Sequence, residues 1–220
     1  MLTTKMKAAI AAASLLMFAL PASAEVFTLT FEGLADHASV GDFYNGGGGT
    51  NYGVSFSPAT LALIDEDAGG SGNFANEPSP GTVLFFLEAN NAILNKSSGF
   101  STGFSFYYSS SKAASVNVYD GINATGNLLA TLQLAAQNQD NNCVGDPTGS
   151  FCNWTAVGVT FAGIAKSIDF GGTANQVGFD NITFGTETPT APVPEASTYG
   201  MMLAGLGVLG LTARRRKNQV

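Results

Sequence analysis

The sequence predicts an all-β protein, a two-sheet antiparallel sandwich of jelly-roll type, with a signal peptide ahead of it and a hydrophobic helix behind it. Three observations carry this expectation. Short runs rich in aromatic and β-branched residues recur between Gly, Asn and Ser clusters. Several runs alternate, so that Phe27/Leu29/Phe31, Phe104/Phe106/Tyr108, Val116/Val118 and Val157/Val159/Phe161 each mark one face of a half-buried strand. The two ends of the chain depart from the pattern and carry uninterrupted apolar tracts flanked by basic residues.

The expected strands, in order, are Val26–Phe31, Gly53–Ser57, Leu61–Ile64, Thr82–Leu87, Gly103–Tyr108, Ser115–Tyr119, Leu128–Leu134, Thr155–Phe161, Lys166–Phe170 and Ile182–Phe184. A half-buried strand needs a second apolar face to cover it; two packed sheets supply one, and a closed barrel is the alternative. Asn45 to Gly49 and Asp65 to Gly81 read as the main long loops. Near the end of the body the apolar parity changes from Val177/Phe179 to Ile182/Phe184, across Asp180-Asn181. A strand that keeps both pairs in the core needs one extra residue there, which is a β-bulge.

Residues 1–24 place Lys5 and Lys7 ahead of an apolar run from Ala8 to Leu20, then Pro21 and Ala22-Ser23-Ala24. That is the order of a secretory signal peptide, cut by signal peptidase after Ala24. Residues 25–185 form the expected sandwich domain and 186–192 a Pro-punctuated linker, which cannot continue as a regular helix. In the closing segment, 193–220, Val193, Pro194, Glu195 and Ala196 precede an expected transmembrane helix over 198–213. Its uncharged stretch Tyr199 to Ala213 would run roughly 22 Å, short of a hydrocarbon core of about 30 Å unless flanking residues contribute. Arg214, Arg215, Arg216 and Lys217 follow as a basic stop that keeps the C-terminus cytoplasmic.

The succession of Val193-Pro194-Glu195-Ala196-Ser197, a Gly-rich apolar helix and an Arg cluster resembles the PEP-CTERM sorting domain, with Ala196 standing where the family usually has a second Pro. The resemblance implies recognition by exosortase, a membrane cysteine transpeptidase, after a transient stay in the inner membrane. Cleavage near the motif would then leave the protein secreted, in the cell envelope or outside the cell.

Removing both ends leaves roughly 170 residues, enough for one domain. Only Lys96, Lys112 and Lys166 remain against all 16 acidic residues, a formal charge of −13. A body with three lysines and no arginine is unsuited to the phosphate backbone, which excludes nucleic acid as a partner. Cys143 and Cys152 flank a turn-rich segment, and in an exported protein they are expected to form a disulfide.

The strings Val26-Phe27-Thr28-Leu29-Thr30-Phe31-Glu32-Gly33 and Val177-Gly178-Phe179-Asp180-Asn181-Ile182-Thr183-Phe184 resemble the first and last strands of galactose-binding-like jelly-roll modules. That resemblance implies a structural calcium on Glu32 and Asp180; independently, the bulge would aim the Asp180 carboxylate and a nearby carbonyl at a hard cation, with Glu32 and either Asp36 or Asp42 completing an oxygen shell. For a carbohydrate, the candidate stacking residues are Trp154, Tyr44 and Tyr52, because sugar CH faces pack on aromatic rings. Tyr107 and Tyr119 are further aromatic candidates. No catalytic residue is expected. His37, the sole histidine, stands beside Asp36 without a Gly-x-Ser-x-Gly elbow, and no pair of carboxylates is singled out for glycoside hydrolysis. The reading favoured is a structural, exopolysaccharide- or biofilm-associated surface protein, because no residue pattern demonstrates a site. A carbohydrate-binding adhesin is the alternative, and a secreted hydrolase ranks below both.

Overall fold

A computed structural model describes residues 26–144 and 149–189. The strands are β1 (Phe27–Leu29), β2 (Ser55–Phe56), β3 (Leu61–Ile64), β4 (Thr82–Phe85), β5 (Asn91–Ser110), β6 (Ala114–Tyr119), β7 (Leu128–Leu134), β8 (Thr155–Gly171) and β9 (Val177–Phe184). Pairing between them is antiparallel throughout, in the order β3-β4-β9-β5-β8-β6-β7, with β1 added to β9 and β2 to β5.

This continuous ladder folds over on itself. Ala92 of β5 pairs with Phe170, and Phe106 of the same strand pairs with Val157. Fourteen residues of straight strand would separate Phe106 from Phe170 by about 46 Å. Their ring centroids lie 5.5 Å apart. The bend falls where the β5–β8 register shifts on either side of Phe100, with Gly99, Thr102 and Gly163 at positive φ. One layer then contains β2, the start of β5, the end of β8, β6 and β7. The other contains the start of β8, the end of β5, β9, β4 and β3, with β1 next to β4 along β9.

Between the layers lie Leu84, Leu94, Phe104, Phe106, Val116, Ile168, Phe170, Phe179, Ile182 and Phe184, all essentially without solvent exposure. Phe170 meets Phe104, Phe106 and Phe179 edge-on, which is the favoured quadrupole geometry. The core runs from Leu29 to Phe184, and the first strand pairs with the last, so residues 26–189 hold a complete fold.

The all-β sandwich is as expected, but several strand readings differ: β9, expected over Ile182–Phe184, begins at Val177, and β2, expected over Gly53–Ser57, is Ser55–Phe56. The two runs Thr155–Phe161 and Lys166–Phe170 are one bent strand, β8. β5 begins at Asn91, well ahead of Gly103, because Ser97-Ser98-Gly99 belongs to the bend inside a strand and not to a terminal loop. β1 stops at Leu29, two residues before Phe31 takes a left-handed φ of 64°. Among the described residues no helix is long and apolar enough to cross a membrane. The signal peptide, the linker beyond Pro189, Val193 to Ala196, the helix expected over 198–213 and the basic stop lie outside the described residues.

Candidate functional site

The bulge expected in β9 is present. Ser105 pairs with Thr183 and Tyr107 with Asp180, so three steps on β9 face two on β5, and Asn181 has a φ of 50°. The extra residue lets Phe179 and Ile182 both face the core while Asp180 stays on the other face, fully buried. Glu32 reaches the same place from the turn after β1.

Ser79 joins the two carboxylates. Its N–H donates to Asp180 Oδ2 at 2.9 Å, and its Oγ lies 2.9 and 2.8 Å from Asp180 Oδ1 and Oδ2. The same Oγ lies 3.3 Å from Glu32 Oε1 and 3.2 Å from the Thr30 carbonyl oxygen. A hydroxyl has one proton to give and here faces four acceptors. Thr82 donates to Glu32 from its N–H at 3.0 Å and from its hydroxyl at 3.2 Å. Burial drives the Asp180 carboxyl well above the usual carboxylate range, against the hydrogen bonds that oppose it. Glu32 is raised for the same reason. Nearby Glu77 is raised by burial and by the charges of Asp65, Glu32 and Asp67. Both polar atoms of the buried Asn181 side chain lack a partner.

Two carboxylates, a hydroxyl and a carbonyl form an all-oxygen donor set, which fits a hard cation such as calcium. No group of three or more His, Cys, Asp or Glu side chains converges on a metal position among the described residues, so neutral oxygens would complete any shell. Asp36 and Asp42 do not join Glu32. Asp36 accepts from Ile64 N–H and Ser71 Oγ, and Asp42 from Asn45.

Ser71 is a residue that sequence reading passed over. Its Oγ lies 2.9 Å from His37 Nε2 and donates to Asp36 Oδ2 at 2.7 Å. In a hydrolytic triad the imidazole takes the serine proton and the carboxylate holds the far side of the ring. Here the carboxylate takes that proton itself, and the cluster is exposed.

A shallow groove, with only about 30 Å³ of space inside it, lies on the outer face of the β3-β4-β9 layer. Its walls are Phe74, Phe85, Phe151 and Trp154, its floor Val83 and Gly178, and Asn73 and Asn175 stand exposed on its rim. Val83 and Phe85 face outward because Leu84, between them, faces the core. Trp154 is half-buried, meets Phe74 edge-on at 6.2 Å and donates its indole N–H to the Ala75 carbonyl at 3.1 Å. The expected disulfide links Cys143 to Cys152, directly between Phe151 and Trp154 in sequence. Backbone bonds from Ser150 to Asn73 and from Ala75 to Phe151 dock that loop on residues 73–75. The groove walls are therefore two loops clamped to one another.

The two tyrosines line a different cavity, with Thr28, Glu32, Phe43 and the Gly48-Gly49-Thr50 stretch. Tyr44 is 5% exposed, accepts from Phe31 N–H and belongs to the core. Tyr52 stacks on Phe27 at 4.4 Å and leans on Tyr44 at 6.3 Å. Its position outside a regular strand gave no sequence signal of this stacking. Trp154 alone of the three lines the groove.

The family model described as the PEP-CTERM protein-sorting motif matches residues 192–217. No curated protein matches the chain. Among solved structures, CsCBM6-3 from Clostridium stercorarium in complex with cellobiose is similar, with 21% identity over 59% of this chain and 85% of that one and a TM-score of 0.36. TmCBM61 in complex with β-1,4-galactotriose matches with 12% identity over 69% of this chain and 97% of that one, at a TM-score of 0.38. These ligands belong to those proteins. At 192–217 the chain carries the sorting motif of exported, envelope-associated proteins.

Proposed function

We propose that this chain is an exosortase-sorted envelope or matrix protein whose sandwich holds extracellular polysaccharide without cleaving it. The observation behind this reading is the outer face of the β3-β4-β9 layer, where the half-buried rings of Phe151 and Trp154 stand beside the buried Phe74 and Phe85, with the Asn73 and Asn175 amides at its edge. Aromatic walls match the CH faces of sugar rings, and rim amides offer donors and acceptors to hydroxyls. Binding without turnover is supported by the arrangement of Ser71, His37 and Asp36, where serine and carboxylate both lie on the Nε2 side of the imidazole, so Asp36 does not hold the far side of the ring as in a triad. The strongly acidic body favours neutral glycans over uronic acid polymers, since like charges repel. Retarded migration of residues 26–189 in native gels containing neutral polysaccharides, with no release of reducing ends, is the expected result. Unretarded migration on every polymer tried would overturn it.

Calcium at Glu32 and Asp180 is the second part of the proposal, supported by four acceptors crowding the single Ser79 hydroxyl. When bound, the ion neutralises the buried Asp180 and half-buried Glu32 carboxylates and ties the turn after β1 to the bulge of β9. Glu32, Asp180 and the Thr30 carbonyl would hold it, and Ser79 would orient them.

A further inference from the structure

A second cavity, separate from the groove around Trp154, lies where the turn after β1 meets the Gly-rich stretch ahead of β2. It offers about 460 Å³, within the range of small-molecule sites. Phe43, Tyr44 and Tyr52 supply its rings, and Thr30, Thr50 and Glu32 its polar groups. The glycines let the loop approach so closely, since a Cβ at Gly49 would fall 2.6 Å from Phe43 Cε1. Gly49 N–H donates to the Phe43 carbonyl at 3.0 Å and Tyr52 N–H to the Tyr44 carbonyl at 2.9 Å. Backbone bonds therefore fix the loop on which the three rings stand.

Among the described residues that line this cavity, Glu32 alone carries a charge. Its Oε1 accepts from Thr82 N–H and lies 3.3 Å from Ser79 Oγ, whereas Oε2 accepts one bond, from the Thr82 hydroxyl at 3.2 Å. A carboxylate oxygen can accept two, so Oε2 of this half-buried side chain has room for a further donor. Aromatic rings present negative faces that attract a cation. The same aromatic cluster already holds one: Phe27, stacked on Tyr52 at 4.4 Å, has the Lys96 ammonium 5.4 Å from its centroid. Lys96 itself lines another cavity, with Phe100 and Phe184. A body with 16 acidic residues and three lysines also draws cations toward it.

We propose that this cavity binds an amine-bearing sugar, with the sugar's ammonium donating to Glu32 Oε2 and its ring packed against the aromatic wall. The Thr30 and Thr50 hydroxyls then serve the sugar hydroxyls, which a plain aliphatic amine lacks. The ammonium supplies the charge-assisted bond, which a neutral or N-acetylated sugar lacks. The site shares no residue with the groove around Trp154. Calcium at Glu32 and Asp180 draws on the same carboxylate, so ion and amine exclude one another.

Calorimetric and NMR titration of residues 26–189, which hold the complete core, with the β-1,4-linked disaccharide of glucosamine tests this. A chelator keeps divalent cations off Glu32, so the outcome does not depend on calcium binding. About 0.15 M NaCl screens the general attraction between an acidic body and any cation. The expected result is saturation at one disaccharide per chain, with amide shifts confined to residues 28–33 and 43–52. The N,N′-diacetylated disaccharide should bind about tenfold more weakly or worse, for want of the charge-assisted bond. Glu32→Gln should weaken binding by a similar factor, whereas Glu88→Gln, which removes the same charge from an exposed site elsewhere, should not. Were the Glu32 variant to misfold, the wild-type shift map and the acetylated comparison would still decide. Absence of saturable binding, equal affinity for the acetylated disaccharide, shifts centred on Trp154, or a folded Glu32→Gln variant that binds like wild type would each overturn the proposal.

Discussion

The hydroxyl of Ser79 and the carboxylate of Asp180, 101 residues apart in sequence, meet at 2.8 Å with both residues buried. One serine thereby fixes the long loop before β4 to the bulge of β9, and the charge state of Asp180 becomes part of the stability of the domain.

The sign of that dependence follows from burial. Asp180 and Glu32 are raised in the folded protein, so the folded state binds protons more tightly than the unfolded chain. Their contribution is complete below the unfolded value of about 4 and is lost as pH rises through the raised folded values. Without divalent cations, thermal melting should therefore occur at higher temperature near pH 5 than near pH 8, and Asp180→Asn should flatten the slope. A melting temperature that climbs steadily over that interval would contradict the assignment.

Calcium should reverse this behaviour, because it binds the ionised carboxylates and thus the folded form. At a free concentration about 100-fold above its dissociation constant it would add about 2.7 kcal/mol. Asp180→Asn should abolish the response, and the calcium-free variant should be less stable than wild type near pH 5, since its amide NH2 would face one of the Ser79 and Asn181 N–H groups that now donate to the carboxyl. Calorimetric titration after chelation reads both effects, and no heat with wild type would rule the ion out.

Replacing Cys143 and Cys152 by Ser should lower stability by about 2–3 kcal/mol from loop entropy. The greater effect is expected on ligand binding, because Phe151 and Trp154 flank Cys152 on the clamped loop. Chemical denaturation and glycan retention measured on the same variant separate the two; intact retention would show that the groove does not depend on the clamp.

Gly158 permits a close crossing of the chain after β9. A Cβ there would fall inside contact distance of the Glu187 carbonyl oxygen and 2.8 Å from Ser105 Cβ. Gly158→Ala should cost about 1–3 kcal/mol as overpacking or displace residues 186–189, exposing Pro189, which is buried. Faster limited proteolysis at 186–189 is the readout, and an unchanged cleavage pattern with unchanged stability would dismiss the contact.

The sequence revealed these features unevenly, for physical reasons. Alternation in Phe104/Phe106/Tyr108 and Val116/Val118 is read directly as strand, because side-chain period and burial coincide there. The parity change at Asp180-Asn181 located the bulge for the same reason. Ser79 was not foreseen. It lies in a Gly- and Pro-rich stretch, and its partners come from β9 and the turn after β1. The groove was invisible as well, since Phe74, Phe85 and Trp154 come from three separate segments and only docking of the disulfide loop brings them together. Tyr44 misled because an aromatic residue beside a Gly-rich loop reads as exposed, whereas its hydroxyl caps Phe31 N–H inside the core.

Trp154 is the only tryptophan in the protein, so its fluorescence reports on the groove alone. Titrating residues 26–189 with an oligosaccharide of a polymer that retards the protein in gels should give a saturable shift in emission, absent with a polymer that does not. Retardation accompanied by no change in Trp154 emission would contradict the central claim and place the glycan elsewhere on the sandwich.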